Sequence, residues 1–231
     1  MLVLFDLIAP LMALIIYTIS KGISGWTFEE FLLLQGVLIF VFGISTFSLM
    51  GISYRVTELL INGTFEGVLI RPYNALKYLS STSLNLEHVA DIFVGLVLIT
   101  YATSKLNITY TLTNVSMFFV LVFLALAFIF SVNVFVSSLA FFYNQVQALV
   151  HIFHELMDVA QYPLNIYNRM GAFIFSFLLP LGLMAFYPVE TLLRGLEFSL
   201  FLKLAGVVLL FLMGSLLFWN NAIRHYSSAG G

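Results

Sequence analysis

Charge is missing from this chain in long runs. Between successive Asp, Glu, Lys or Arg residues the sequence is uncharged over 7–20, 31–54, 92–104, 106–154, 170–189 and 204–223. A helix crossing ~30 Å of hydrocarbon needs about 20 apolar residues. The second, fifth and sixth runs each supply one such stretch. The first and third reach it once Asp6 and Asp91 sit near helix ends, and 106–154 is long enough for nearly two. Nine basic and eleven acidic residues cannot cover a soluble globule of 231 residues in which 61% are hydrophobic. A mean hydropathy of +1.06 agrees. The pattern predicts an all-α, polytopic integral membrane protein, a single transmembrane domain over 1–231. The runs are continuously apolar and do not alternate with period two, which argues against a β-barrel.

The same figures exclude other classes. A net charge of −2 gives no basic footprint for nucleic acid. With no Cys there are no disulfides, thiolate metal sites or cysteine nucleophiles. No G-x-x-x-x-G-K-[ST] occurs, so these residues carry no standard phosphate-cradling loop. No cofactor and no metal are expected.

Six spans are predicted: 2–20, 29–53, 87–104, 113–142, a fifth between 145 and 187, and 200–221. The first is read as a retained span and not a signal peptide, because no basic residue precedes its apolar stretch and Ala9-Pro10 lies too early for cleavage. Lys21 to Trp26 form a turn with an interfacial Trp, and 105–113 a Thr/Asn-rich loop. Loop charges give no positive-inside orientation. Glu87, His88 and Asp91 mark where the third span enters the membrane.

Residues 54–86 form the long polar connection. Val56, Leu59, Leu60 and Gly63 recur at i, i+3, i+4 and i+7, one face of a short helix, with Arg55, Glu58 and Asn62 elsewhere on it. Asn62-Gly63 is a turn or helix-end signal, and Pro72 ends any helix holding Leu69 and Ile70. This reads as a broken amphipathic element against one end of a bundle: a passive connector, or a docking element for a partner.

Ile61-Asn62-Gly63-Thr64-Phe65-Glu66-Gly67-Val68-Leu69-Ile70-Arg71-Pro72 resembles the "I-x-G-x-(hydrophobic)-(acidic)-x-x-L-x-R-P" signature of type-2 ATP-binding-cassette (ABC-2) transporter permeases. Gly25-Trp26-Thr27 before an acidic helix start resembles that family's first outer loop. Tyr162-Pro163-Leu164-Asn165-Ile166-Tyr167, then Leu179-Pro180 and Tyr187-Pro188 before Leu193-Arg194-Gly195, resembles its late tyrosine–proline pattern. Trp219 and 224–230 resemble its C-terminal ending. The resemblance implies a plasma-membrane permease subunit of an ATP-driven exporter, most often of a prokaryotic inner membrane. Its implied partners are a second permease, identical or related, two cytoplasmic ABC ATPase subunits, and membrane lipid. It also implies that 54–86 is the cytoplasmic coupling segment, with Arg55, Glu58, Ile61, Gly63, Phe65, Glu66, Leu69, Arg71 and Pro72 as the ATPase-coupling residues. Polar contacts would come from Arg55, Glu58, Glu66 and Arg71, while Gly63 and Pro72 set the backbone path. Such permeases usually begin with a partly basic cytoplasmic stretch. Here Met1 runs straight into apolar sequence, so either the start is truncated or that element is absent.

The fifth span has two readings. Hydropathy favours 170–187. The resemblance favours a span over 145–161, followed by an outer re-entrant hairpin over 162–198 containing Tyr162, Pro163, Pro180 and Pro188. The choice bears on His151, His154, Glu155 and Asp158, which share one helical face at i, i+3, i+4 and i+7. The group resembles H-E-x-x-H but has Asp where the second His would stand. It is read as an interfacial polar face or a cavity-lining cluster. Two rival functions remain at this stage: an ion- or proton-coupled carrier using that cluster, or a non-transporting membrane scaffold.

Overall fold

The computed structural model describes residues 15, 17–19, 22–23, 25–143 and 146–226, with the side chains of Gln147 and His154 excepted. The predicted span 2–20 therefore lies almost wholly outside the described residues, as do Lys21 and 227–231. Among the described residues every regular element is helical.

Helix α1 (Phe28–Ser48) starts from a capping box. The Thr27 side chain accepts the Glu30 N–H at 3.2 Å, and the Glu30 carboxylate accepts the Thr27 N–H at 2.9 Å. The expected span 29–53 does not run on to residue 53. Ser45, Thr46 and Ser48 hydroxyls bond back to carbonyls at Phe42 and Ile44, a pattern that bends helices. The Leu49 and Met50 N–H groups then both return to the Ser45 carbonyl. The chain turns there and resumes as α2 (Gly51–Ile61), α3 (Glu66–Leu69) and α4 (Ala75–Thr82).

Helix α5 (Val89–Lys105) runs antiparallel to α1 with backbones almost touching. A methyl at Gly36, Gly43 or Gly95 would lie 2.9, 2.7 and 2.5 Å from the backbone nitrogens of Ile99, Ile92 and Phe40. Small residues permit this approach, the usual route to tight helix pairing in lipid. Helices α6 (Leu112–Leu139) and α10 (Phe198–Arg224) run parallel. Phe128 meets Phe211, Phe135 meets Phe218 and Phe142 meets His225, with ring centroids 5.2, 5.3 and 6.1 Å apart. Each step is seven residues on both sides, the last pair lying just past the ends of α6 and α10.

Among the described residues four helical stretches are long and apolar enough to cross a membrane: Phe28–Ile61 (α1 and α2 taken together across their turn), Leu86–Lys105, Leu112–Leu139 and Phe198–Arg224. They correspond to the predicted spans 29–53, 87–104, 113–142 and 200–221. Among the described residues neither 146–161 nor 170–187 forms a continuous membrane-length helix. That region is α7 (Gln147–Met157), a 3-10 turn Asp158–Gln161, another at Leu164–Ile166, α8 (Arg169–Phe173) with one π turn Ile174–Leu178, a 3-10 turn Leu181–Leu183, and α9 (Phe186–Leu193). Proline accounts for much of the breakage. Pro163 follows an extended Tyr162 (φ −116°, ψ 147°), and Pro180 follows the π turn. Pro188 falls in the first turn of α9, where a missing N–H is tolerated.

The path of this region is nonetheless fixed. Val146 and Val150 pack with Phe65 and Trp219 near α2–α4. Asn165 accepts the Trp26 indole N–H at 3.1 Å beside the start of α1. The chain thus passes from one end of the bundle to the other between 146 and 165. Arg194 returns to Glu30 at 3.0 Å and to the Gly25 carbonyl at 3.1 Å. Residues 166–193 therefore leave and re-enter at the same end, and Leu181 and Leu183 at their middle are fully buried.

Candidate functional site

The elbow α2–α3–α4 is built by local rules. On α2, Ile52, Ser53, Val56 and Thr57 face inward. Its root is pinned: the Ser53 hydroxyl bonds the Asn133 side-chain oxygen at 3.0 Å, and the Asn133 amide donates to the Ile129 carbonyl at 3.0 Å. The helix ends at Asn62, and Gly63 takes φ +65°. The Gly63 N–H bonds Leu60 and the Thr64 N–H bonds Leu59, the paired Schellman closure that favours glycine at this position.

That reversal drives Phe65 into the bundle. Its side chain is fully buried, edge-on to Phe141 at 5.0 Å and to Tyr226 at 5.4 Å. Val68, Leu76 and Leu79 join it, together with Trp219 of α10. Phe65 is therefore an internal anchor of the elbow and not a surface contact. The cause is the left-handed Gly63, which turns the next apolar side chain back towards α6.

The outward face is mixed. Arg55 and Glu58 pair at 2.8 Å, both about half exposed. Ile61 is 63% exposed, Leu69 40%, Ile70 84% and Tyr73 73%. Glu66 and Pro72 are exposed as well. Arg71 does not pair with Glu66. Its guanidinium lies 4.3 Å from the centre of the Tyr78 ring, and its Nε donates to the Gly67 carbonyl at 3.2 Å. Asn74 caps α4 by accepting the Leu76 and Lys77 N–H groups. Sequence reasoning missed Ile70 and Tyr73 as surface groups; the signal was their position on either side of Arg71-Pro72, where no helix continues to bury them.

The other predicted site residues fall elsewhere. His151, Glu155 and Asp158 lie on one exposed face of α7 and the turn after it, while Val150, Phe153 and Met157 on the opposite face are buried. Asp158 accepts the Gln161 amide at 2.9 Å. The His154 side chain lies outside the described residues. Among those residues no group of three His, Asp or Glu could hold a metal. Tyr162 is 43% exposed, whereas Pro163, Pro180 and Pro188 are buried. His88 and Asp91 pair at 2.7 Å at the start of α5.

At the far end a second constellation joins three of the motif stretches. Arg194 pairs with Glu30 and, at 2.8 Å, with Glu190, and it stacks 5.2 Å over Trp26. Gln35, buried within α1, donates to the Gln161 carbonyl at 2.7 Å. The Tyr187 and Ser176 hydroxyls meet at 2.6 Å across residues 166–193.

Among proteins of curated function and among solved structures, nothing matches the chain. A family model described as "ABC-2 family transporter protein" matches residues 4–230, nearly its full length. The four membrane-length helices, the Gly63 elbow and the Trp26–Arg194 constellation lie inside that match, and the chain belongs to the ABC-2 transporter family, as a multi-pass membrane permease of an ABC transporter.

Proposed function

We propose that this permease is half of the translocation path of an ATP-driven exporter, and that ATPase subunits dock on the exposed face of the α2–α3–α4 elbow. One observation carries the reading. The elbow combines a fully buried aromatic anchor with an outward face of Arg55, Glu58, Ile61, Glu66, Leu69 and Ile70. An anchored element with a mixed, unfilled face can be pushed from outside and can pass that push on. Phe65 hands it to Phe141 after α6 and to Tyr226 after α10. No nucleotide loop lies in these 231 residues, so hydrolysis falls to the partner, and two ATPases with a second permease complete the complex.

The finer topology belongs to the same proposal. The elbow faces the cytoplasm of a prokaryotic inner membrane. Residues 146–165 make the fifth crossing, 166–193 a re-entrant hairpin from outside, and 2–20 the first of six spans. The end-to-end passage of 146–165 supports the crossing. Irregular backbone at membrane depth is tolerated where protein buries it, and Leu181 and Leu183 are so buried. The polar face of His151, Glu155 and Asp158 then needs a watery neighbour, since such groups are costly in lipid; a path shared with the second permease supplies one.

Docking is tested with Ile70→Asp combined with Glu66→Lys. Both side chains are exposed, so insertion should be unaffected. ATPase copurification and ATP hydrolysis in the reconstituted complex should fall at least tenfold, as loss of contacts worth ~2 kcal/mol or more would give. Wild-type levels of both would leave the elbow a passive connector. Topology is tested by single cysteines. Thr64→Cys should react only from the cytoplasm, and Thr109→Cys and Arg169→Cys only from outside; reaction of Arg169→Cys from the cytoplasm alone would overturn the hairpin.

A further inference from the structure

A groove beside the elbow changes character along its length. Where α4 crosses the facing surfaces of α6 and α10, a cavity of about 630 Å³ opens. Its rim is polar, with Asn74, Lys77, Asn220 and two serines of α4. Its floor is apolar, formed by Phe130, Leu216 and Trp219. Phe130 and Leu216 also wall a second cavity of about 470 Å³, which continues past Phe123 and Leu212 between α1, α6 and α10. Both volumes lie in the ~300–1,000 Å³ range of small-molecule sites.

The mouth holds donors with nothing to bind. Among the described residues, the side chains of Lys77 and Asn220 have no hydrogen-bond or ion-pair partner. The Asn74 oxygen is taken by the helix cap, which leaves its amide N–H groups to donate outward. The inner limb has the opposite need. Among its described lining residues the one polar side chain, Ser48, is satisfied by the Ile44 carbonyl at 2.7 Å, so water placed there would find few partners. The indole of Trp219 lies on the floor of the polar mouth, next to Leu216 and Phe130, which the two parts share.

We propose that this groove binds one anionic glycerophospholipid. Its phosphate takes the Lys77 ammonium and the Asn74 and Asn220 amides, and one acyl chain runs over Phe130 and Leu216 into the limb. Any lipid tail satisfies the limb. Only a net negative headgroup also complements the Lys77 ammonium at the mouth. Bound there, the lipid ties α4 to α6 and α10. The proposal does not depend on ATPase docking.

The chain has two tryptophans, at opposite ends of the bundle. The full chain, as Trp26→Phe, is placed in phosphatidylcholine vesicles containing a graded share of dibrominated phosphatidylglycerol or dibrominated phosphatidylcholine, and Trp219 fluorescence is read. Quenching should set in at about fivefold lower mole fraction of the anionic lipid, the factor given by ~1 kcal/mol for one surface lysine. Lys77→Gln should abolish that preference, Lys77→Arg should keep it, and Ala127→Phe, which fills the limb, should weaken quenching by both lipids. If Trp26→Phe inserts poorly, the difference between the native chain and Lys77→Gln reads the same preference. Equal quenching by both lipids in the native chain would mean non-specific contact. No quenching by either would mean that another segment or a second copy covers the groove. Both results overturn the proposal.

Discussion

The two ends of the bundle are held together by different forces. At the elbow end a fully buried Phe65 sits among Phe141, Tyr226 and Trp219, and the charged groups point outward. At the far end the polar groups turn towards one another: Arg194 serves Glu30, Glu190 and Gly25, and Trp26 serves Asn165. Apolar anchoring is non-directional and leaves the polar face free for something else. A hydrogen-bonded constellation fixes angles and distances and consumes its own donors. The elbow end is thus suited to receiving a partner, and the far end to keeping separate segments in register.

The comparison breaks most visibly at Phe65. Phe65→Ala removes the anchor from a closed site, and such truncations cost about 3–5 kcal/mol. Limited proteolysis of the inserted protein should cut between 62 and 74 much faster, while residues 162–194 stay protected. Equal protection of the elbow in the variant would show that α2 and α4 hold it without the plug.

Arg194→Gln tests the opposite end. The guanidinium is 39% exposed, so solvent screening reduces its two ion pairs well below buried values, and a loss of about 1–2 kcal/mol is expected. Protease sensitivity should rise at residues 166–193 and remain unchanged at the elbow. A uniform loss along the chain would mean that the two ends are not separable.

Gly63→Ala asks whether the left-handed turn aims the anchor. An Ala at φ +65° costs about 1–2 kcal/mol. The elbow should become more protease-sensitive than wild type but less than Phe65→Ala, and ATPase association should fall with it.

The smallest effect on stability belongs to Arg55→Ala. A surface ion pair is worth about 0–1 kcal/mol, so the thermal unfolding midpoint should hardly move. ATPase copurification should nonetheless drop; if it does not, the pair is only solvated surface.

The distribution of charge made the membrane helices legible, because hydrocarbon tolerates few ions and the uncharged runs mark them directly. The elbow was legible too: Asn62-Gly63 and Pro72 are local signals, and both stand where the backbone turns. Phe65 was harder. Residue type marks it as apolar, but only the direction set by Gly63 decides that it points inward. The region 146–193 resisted reading because its hydropathy matches that of a span while Pro163 and Pro180 cut it into pieces. The Trp26–Asn165 and Arg194–Glu30 pairings join residues 139 and 164 positions apart, and no periodicity announces such a meeting. The resemblance named the three stretches without saying that they touch.

The seven-residue steps of the Phe128–Phe211, Phe135–Phe218 and Phe142–His225 pairs limit how α6 and α10 can move. A straight helix drifts about 20° per heptad from a seven-residue repeat, so contacts kept over two such steps require the two helices to coil gently around each other. Sliding or rolling either helix would break all three pairs together. The energetically easy motion is therefore a tilt of the pair as one lever, pivoting on its flanking connections. Gly195, at φ +79° with nothing within 4 Å of where a Cβ would be, stands just before α10 and can act as that pivot. A displacement delivered at Phe65 would then reach the opposite end of the membrane as an angle and not as a local rearrangement.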